Sequence, residues 1–135
     1  MNELSEEKLL KNFSRCSDWE EKYLYIIELG NRFCHLSAHE CNDDKLVSGC
    51  QSNVWLDVQV EGEYLKLRGN SDTVIVKGLV ALLIVLTNNK AVLSLSMADI
   101  QQFFIDIGIE ESITPVRNQG LAAMVQHVFI HLIEE

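Results

Sequence analysis

The sequence predicts an α+β protein in which N-terminal helices are followed by a small antiparallel β-sheet and then by C-terminal helices packed on one face of it. Apolar residues recur at helical spacing up to residue 30 and again after residue 75. Between these parts, residues 54–60 alternate between apolar and polar side chains, as in a strand that is buried on one face. A turn at 61–63 and a second strand at 64–68 complete a hairpin. Strands and helices that are separated along a chain are typical of α+β folds.

The N-terminal part contains signals for two helices. Ser5 can cap the first one, with two glutamates in its first turn. Residues 17–20 form a capping-box pattern, which predicts the start of a second helix there. Gly30 predicts the end of that helix as a C-terminal cap. Residues 32–44 lack periodicity, so we expect a loop.

The middle of the chain allows two interpretations from its residues alone. Residues 46–47 predict a short strand that leads into a turn at 49–50, and residues 69–72 predict another turn after the hairpin. Residues 73–76 have the composition of a strand. The alternative is a helix that reaches Leu86, capped by Ser71 or Asp72, because the apolar residues that follow have helical spacing.

The C-terminal part predicts two further helices. Ser96 can cap the first of them, and Gly108 ends it. The dipeptide at 114–115 puts proline at the first position of the last helix. The apolar residues expected on the buried face of this helix are Leu121, Met124, Val125, Val128 and Leu132.

Composition limits the classes of protein that the chain can belong to. Its 135 residues and 47% hydrophobic content predict one domain, residues 1–135, with a sizeable core. A net charge of -9 with only 11 Lys and Arg argues against nucleic acid as a partner. The N-terminus has no apolar secretory core, and the longest apolar run, 79–86, is too short to cross a membrane. We therefore expect a cytoplasmic protein with reduced cysteines.

The candidate reactive residue is Cys50. Gly49 before it permits a sharp turn, and the polar residues on either side can donate hydrogen bonds to an anionic sulfur. A thiol at a turn before a strand is accessible to a partner, but only its thiolate reacts. Lys45 is the one nearby cation that could favour the anion. We expect the side chain to be partly buried at rest.

A second cysteine-rich stretch suggests a competing metal site. Cys34, His35, His39 and Cys41 lie within one short loop, and thiolates and imidazoles are the ligands that zinc prefers. Their spacing is not the usual paired Cys-x-x-Cys form, and adjacent Cys34 and His35 would have difficulty in binding one ion. Cys16 is most simply a packing residue.

The last helix carries a pair of histidines. His127 and His131 are one helical turn apart, a spacing that permits chelation of a metal ion but fits a solvated helix face better.

The segment GCQSNVW at 49–55 resembles the active-site segment of the SufE family of sulfur-acceptor proteins. Further segments resemble other signatures of the family in the same order, over almost the whole chain: NF at 12–13, DWEEKYLYIIELG at 18–30, GNSD at 69–72, IVKGL at 75–79 and TPVRNQGL at 114–121. Asn70 stands where the family pattern has an acidic residue. The resemblance implies a SufE- and NifU-like fold, and it favours the helical alternative after residue 72.

The resemblance also implies a function. A cysteine desulfurase of the SufS type would hold sulfur as a persulfide, and Cys50 would accept it and pass it to an iron–sulfur scaffold of the SufBCD type. The chain would be an activator of that desulfurase and not an enzyme, without a cofactor of its own, since pyridoxal phosphate belongs to the desulfurase. Gly49, Gln51, Asp72 and Arg117 are the implied supporting residues.

Other interpretations remain open at this point. Asp72 is more simply a helix cap, and Arg117 is more simply a buried ion pair or a clamp on carbonyls. A metal- or iron–sulfur-binding scaffold would use Cys34, Cys41 and Cys50 together. An adaptor would bind a partner without chemistry. The sequence does not fix the oligomeric state, and a homodimer is among the assemblies that it allows.

Overall fold

The computed structural model describes residues 4–134, apart from the side chains of Glu110, Ser112 and Glu134. The order of elements confirms the predicted α+β class: α1 (Glu6–Ser14), α2 (Trp19–Phe33), β1 (Val54–Glu61), β2 (Tyr64–Ser71), α3 (Val74–Thr87), α4 (Met97–Asp106), α5 (Ile109–Ser112) and α6 (Pro115–Glu134). Short 3₁₀ turns at Asp43–Lys45 and Val92–Ser94 precede β1 and α4. Helix α5 was not predicted from the sequence.

The sheet is an antiparallel hairpin of β1 and β2, with Val54 opposite Ser71 and Glu61 opposite Tyr64. The side chains at the alternate positions of β1 face the core at its start, as the period of two predicts. The segment before Cys50 forms less structure than predicted. Instead of a strand, it makes a single bridge between Leu46 and the first part of β1.

Strand β2 is three residues longer than predicted, so the turn expected at 69–72 is wrong. Gly69 lies within the strand opposite Leu56. A Cβ atom at this position would lie 2.7 Å from Cγ1 of Val80 on α3. The glycine is therefore needed for the close approach of sheet and helix and not for a turn.

Helix α3 is the centre of the molecule, because it packs against α2 on one side and against β2 on another. Nearly every residue of α3 is buried. This confirms the helical alternative for the stretch after residue 73. Although α3 is apolar, no helix among residues 4–134 is long and apolar enough to span a membrane.

The prediction that Gly30 ends α2 is wrong, since the helix continues to Phe33. Gly30 instead lies at the crossing of α2 and α3, where a Cβ atom would lie 2.9 Å from the backbone nitrogen of Gly78. At Gly78 a Cβ atom would lie 2.3 Å from the carbonyl oxygen of Ile26. The two glycines thus permit close contact between the helix backbones.

The other helix starts mostly agree with the sequence. Ser5 caps α1 and Ser96 caps α4, as predicted. The capping box of α2 lies one residue later than predicted. Asp18 accepts the backbone N–H of Glu21, and the Glu21 carboxylate accepts the backbone N–H of Ser17.

The last helix begins at proline, as predicted. Gly108 has a left-handed φ of 75° just after α4, which agrees with its predicted role at the end of that helix. Four residues of the predicted apolar face of α6 are fully buried, and the fifth is half-buried: Leu121, Met124, Val125, Val128 and then Leu132.

Candidate functional site

Cys50 lies in a turn between the 3₁₀ segment Asp43–Lys45 and strand β1. Gly49 has a φ of 91°, which an L side chain rarely adopts, so the sharp turn predicted here is present. A Cβ atom on Gly49 would also lie 3.3 Å from Cβ of Ala123 on α6. Both the backbone angle and the nearby helix therefore favour glycine before the cysteine.

The sulfur of Cys50 points towards α6 and not into solvent. The side chain is half-buried, as expected. Its thiol donates a hydrogen bond to the carbonyl oxygen of Gly120 at an S···O distance of 3.4 Å. A Cβ atom on Gly120 would lie 3.6 Å from the sulfur, so α6 forms the wall against which the thiol rests.

The chain after Cys50 is fastened to the start of α3. The Asp72 carboxylate accepts hydrogen bonds from the backbone N–H and the side-chain amide of Asn53, at 3.2 and 3.0 Å. The hydroxyl of Thr73 donates to Ser52 at 2.8 Å, and that of Ser71 donates to the carbonyl of Asn53 at 2.8 Å.

This arrangement corrects the simpler interpretation of Asp72 as a helix cap. The N-cap of α3 is Thr73, which makes no capping hydrogen bond through its side chain. The carboxylate of Asp72 is used instead to hold the turn that carries Cys50.

The chain before Cys50 is fastened to the solvent side of the sheet. Arg68 forms salt bridges with Glu40 at 2.8 Å and with Asp57 at 2.9 Å. The side-chain amide of Asn70 donates to the carbonyl of Leu36 at 3.0 Å. The position of Cys50 is therefore fixed from both of its ends and from α6.

A cavity of about 390 Å³ opens beside the sulfur. The turn, the start of α3 and the start of α6 all contribute to it, and its lining residues are Cys50, Gln51, Ser52, Val76, Thr114, Val116, Arg117, Gly120 and Met124. Three of the predicted site residues, Cys50, Gln51 and Arg117, thus share one cavity. The other two, Gly49 and Asp72, shape the turn.

Arg117 is half-exposed on the first turn of α6, where its backbone N–H donates to the hydroxyl of Thr114. Among the carboxylates whose side chains the structure describes, none forms an ion pair with it. The interpretation of Arg117 as a buried ion pair is therefore not met, and the residue lines the cavity beside Cys50.

Burial raises the pKa of the Cys50 thiol, and no charged side chain offsets this effect, Lys45 included. The hydrogen bond to Gly120 acts in the same direction, because a carbonyl can accept a proton from a thiol but repels a thiolate. Cys50 at rest is consequently a neutral, sheltered thiol.

The cysteine-rich loop does not form the metal site that was considered from the sequence. Cys34 is buried, and its thiol donates to the carbonyl of Lys77 at 3.3 Å. Burial raises the pKa of this thiol to about 12. Among the side chains that the structure describes, no three His, Cys, Asp or Glu residues converge to hold a metal ion. Cys16 bonds to the carbonyl of Asn12, as expected of a packing residue.

Sequence reasoning missed Gly120, Ala123, Asn53 and Thr73 as parts of the site. Gly120 lies in one of the segments that resemble the SufE family, but nothing in the sequence shows that it touches a cysteine 70 positions earlier. The hydrogen bonds between residues 52–53 and residues 71–73 depend on how these segments pack in the fold. Local sequence patterns do not predict such packing.

The fold and site define a small α+β protein with one cysteine held in a turn at the edge of a cavity. A sequence model of the family described as "SufE: Fe-S metabolism associated domain" matches residues 7–129. The chain therefore belongs to the SufE family, which is associated with iron–sulfur metabolism.

The solution structure of a hypothetical protein from Thermus thermophilus is similar to this chain, with a TM-score of 0.71. It is 21% identical in sequence, and the match covers 91% of this chain and 89% of that one. At this level of identity, the similarity shows a shared fold.

Proposed function

We propose that this protein accepts sulfur from a cysteine desulfurase as a persulfide on Cys50, stimulates that enzyme, and passes the sulfur on for iron–sulfur cluster assembly. The observation that supports this most is that the Cys50 sulfur borders a cavity in a member of the SufE family. Neither Cys16 nor Cys34 lines this cavity.

The proposed transfer is an exchange at sulfur. The Cys50 thiol first loses its proton to solvent or to a group on the partner. The thiolate attacks the terminal sulfur of the desulfurase persulfide, so a sulfur–sulfur bond forms at Cys50 and the former one breaks. The desulfurase cysteine leaves as a thiolate. No net oxidant or reductant is required.

The geometry of Cys50 at rest implies that the site must change before sulfur can be transferred. The thiol is neutral, half-buried and bonded to Gly120, so it reacts slowly with disulfides and other electrophiles in solution. Docking of the desulfurase would have to turn the sulfur away from α6 and promote loss of its proton. The same cavity would shelter the persulfide after transfer.

The supporting residues have separate roles in this proposal. Gly49 permits the turn, and Gln51 lines the cavity next to the sulfur. Asp72 holds the turn through Asn53. Arg117 lines the same cavity, and on arrival of the sulfur its guanidinium would turn to the persulfide anion and stabilise it by charge-assisted hydrogen bonds.

The proposed partners are a desulfurase of the SufS type, which carries the pyridoxal phosphate, and a scaffold complex of the SufBCD type. The protein would act in the cytoplasm, as a monomer or homodimer, without a cofactor of its own. In this proposal it is a transfer partner and not a stand-alone enzyme.

The test is the rate at which a SufS-type desulfurase releases sulfide and alanine from cysteine, measured with and without this protein. Wild type is expected to raise the rate, and Cys50→Ser is expected to leave it at the basal value. Cys41→Ser is the matched control and should stimulate like wild type. Stimulation by Cys50→Ser equal to wild type would support an adaptor without chemistry and reject the acceptor role.

A further inference from the structure

The histidine pair on α6 lies outside the cavity of Cys50. His127 and His131 are both half-buried, and their rings lie against each other with centroids 4.1 Å apart and planes inclined by 30°. A fully solvated helix face, which the sequence favours, would not hold two imidazoles in this way. Both rings therefore lie on the same face of α6.

One nitrogen of the pair has a defined protonation. Nδ1 of His131 lies 2.9 Å from the carbonyl oxygen of His127. A carbonyl can only accept, so in this contact Nδ1 carries the proton. In the neutral ring the lone pair is then on Nε2. A backbone carbonyl that holds one nitrogen of a histidine is a common way of orienting the other nitrogen towards a metal ion.

The spacing of the rings fits one ion. Two nitrogens bound to the same late first-row metal at roughly 2.0–2.1 Å lie about 3–3.5 Å apart. The ring centroids are 4.1 Å apart, and histidines at i and i+4 lie on the same face of a helix. Among the side chains that the structure describes, no third His, Cys, Asp or Glu joins them, so we assign two ligands.

We propose that His127 and His131 form a two-histidine site for a late first-row divalent cation such as Ni²⁺, Cu²⁺ or Zn²⁺. Imidazole nitrogens suit these ions, whereas Mg²⁺ and Ca²⁺ prefer oxygen. The remaining coordination positions are open to water or to ligands from outside the chain. The site is independent of the sulfur-acceptor role of Cys50.

The test is calorimetric titration of the full chain with Ni²⁺ at about pH 7.5, above the ordinary histidine pKa. Ni²⁺ is the probe because Zn²⁺ competes for the four free cysteines. His127→Ala and His131→Ala are each expected to weaken binding at least about tenfold, since even loss of a residue that only orients a ligand costs that much. The double variant His35→Ala/His39→Ala, which removes two exposed loop histidines, should bind like wild type.

A measurement on the unmodified protein covers the case in which a variant at His127 or His131 does not fold. Paramagnetic Ni²⁺ should broaden the ring-proton NMR signals of His127 and His131 at concentrations that leave those of His35 and His39 sharp. Broadening that begins at His35 or His39 would overturn the proposal. So would the absence of saturable binding, or equal affinity in wild type and His131→Ala.

Discussion

At the scale of residues, the same side-chain type has different chemistry at two positions. Cys34 is buried between helices, and burial raises its pKa to about 12. Cys50 is only half-buried and borders a cavity, which gives a partner access to its sulfur. Access, and not the acidity of the resting thiol, distinguishes the candidate acceptor from the packing cysteine.

The first prediction concerns the reactivity of Cys50. Because its pKa is raised, the thiolate fraction at any pH is smaller than in an unfolded peptide. We expect the alkylation rate of Cys50 in the folded protein to rise with pH to a midpoint above the ordinary value of 9.0. Below that midpoint, the folded protein should react more slowly than the urea-unfolded one.

Mass spectrometry of the peptide that contains Cys50 measures this rate separately from the other cysteines. A midpoint at or below 9.0, or equal rates in folded and unfolded protein, would contradict the sheltered neutral thiol.

The second prediction concerns Asp72. Asp72→Asn replaces a charged acceptor of two hydrogen bonds from Asn53 by a neutral amide. We expect faster alkylation of Cys50, because the turn is held less firmly, and a loss of about 0.5–1.5 kcal/mol of unfolding free energy. Asp44→Asn, which changes an exposed carboxylate on the 3₁₀ turn, is the control and should alter neither. Unchanged alkylation in Asp72→Asn would show that the hydrogen bonds between Asp72 and Asn53 do not restrain Cys50.

Much of the residue-scale site was predictable, but the contacts of its members were not. A cysteine after a glycine and before an alternating strand indicates a presented thiol. Asp72 was expected to cap a helix, since acidic residues before a helix usually do so. Asp72 instead accepts hydrogen bonds from Asn53, a residue 19 positions away. This contact depends on how the two segments are placed in the fold.

At the scale of elements, α3 is held by close backbone contacts on two sides. Gly78 and Gly30 permit the crossing with α2, and Gly69 permits the approach of β2. The sequence indicated the helical period of α2 and α3 but not their crossing. Gly30 was therefore assigned to a helix end, although a glycine in a helix can also serve close packing.

The third prediction compares alanine at two helical glycines. Gly78→Ala places a Cβ atom 2.3 Å from backbone and side-chain atoms of Ile26, so α2 and α3 must separate. We expect a loss of about 1–3 kcal/mol or more of unfolding free energy, despite the higher helix propensity of alanine. Urea denaturation measures this loss.

Gly120→Ala is the matched control on α6. Its Cβ atom would meet the Cys50 sulfur at 3.6 Å, an ordinary contact distance, so alanine fits there. The unfolding free energy should stay unchanged or rise by up to about 1 kcal/mol, because alanine favours helix. Equal losses in the two variants would contradict the close crossing at Gly78.

At the scale of the whole molecule, the site exists only where three separate parts of the chain meet. The turn at 49–53 supplies the thiol, the start of α3 holds the turn, and the start of α6 supplies both the wall and Arg117. Hydrophobic periodicity predicted the class of fold and most of the elements, but it left α3 open until the family resemblance was considered, and it did not predict α5. The docking of α6 against the cysteine turn could not be predicted in this way, since it depends on packing between residues about 70 positions apart.

The central claim is that sulfur is carried on Cys50, and intact-mass spectrometry tests it most directly. The protein is incubated with a SufS-type desulfurase and cysteine and is then separated from both. Its intact mass is measured in the absence of reductant. We expect wild type and the control Cys41→Ser to gain the mass of at least one sulfur atom, and Cys50→Ser to gain none. Sulfur retained on Cys50→Ser, or absent from wild type, would contradict the account.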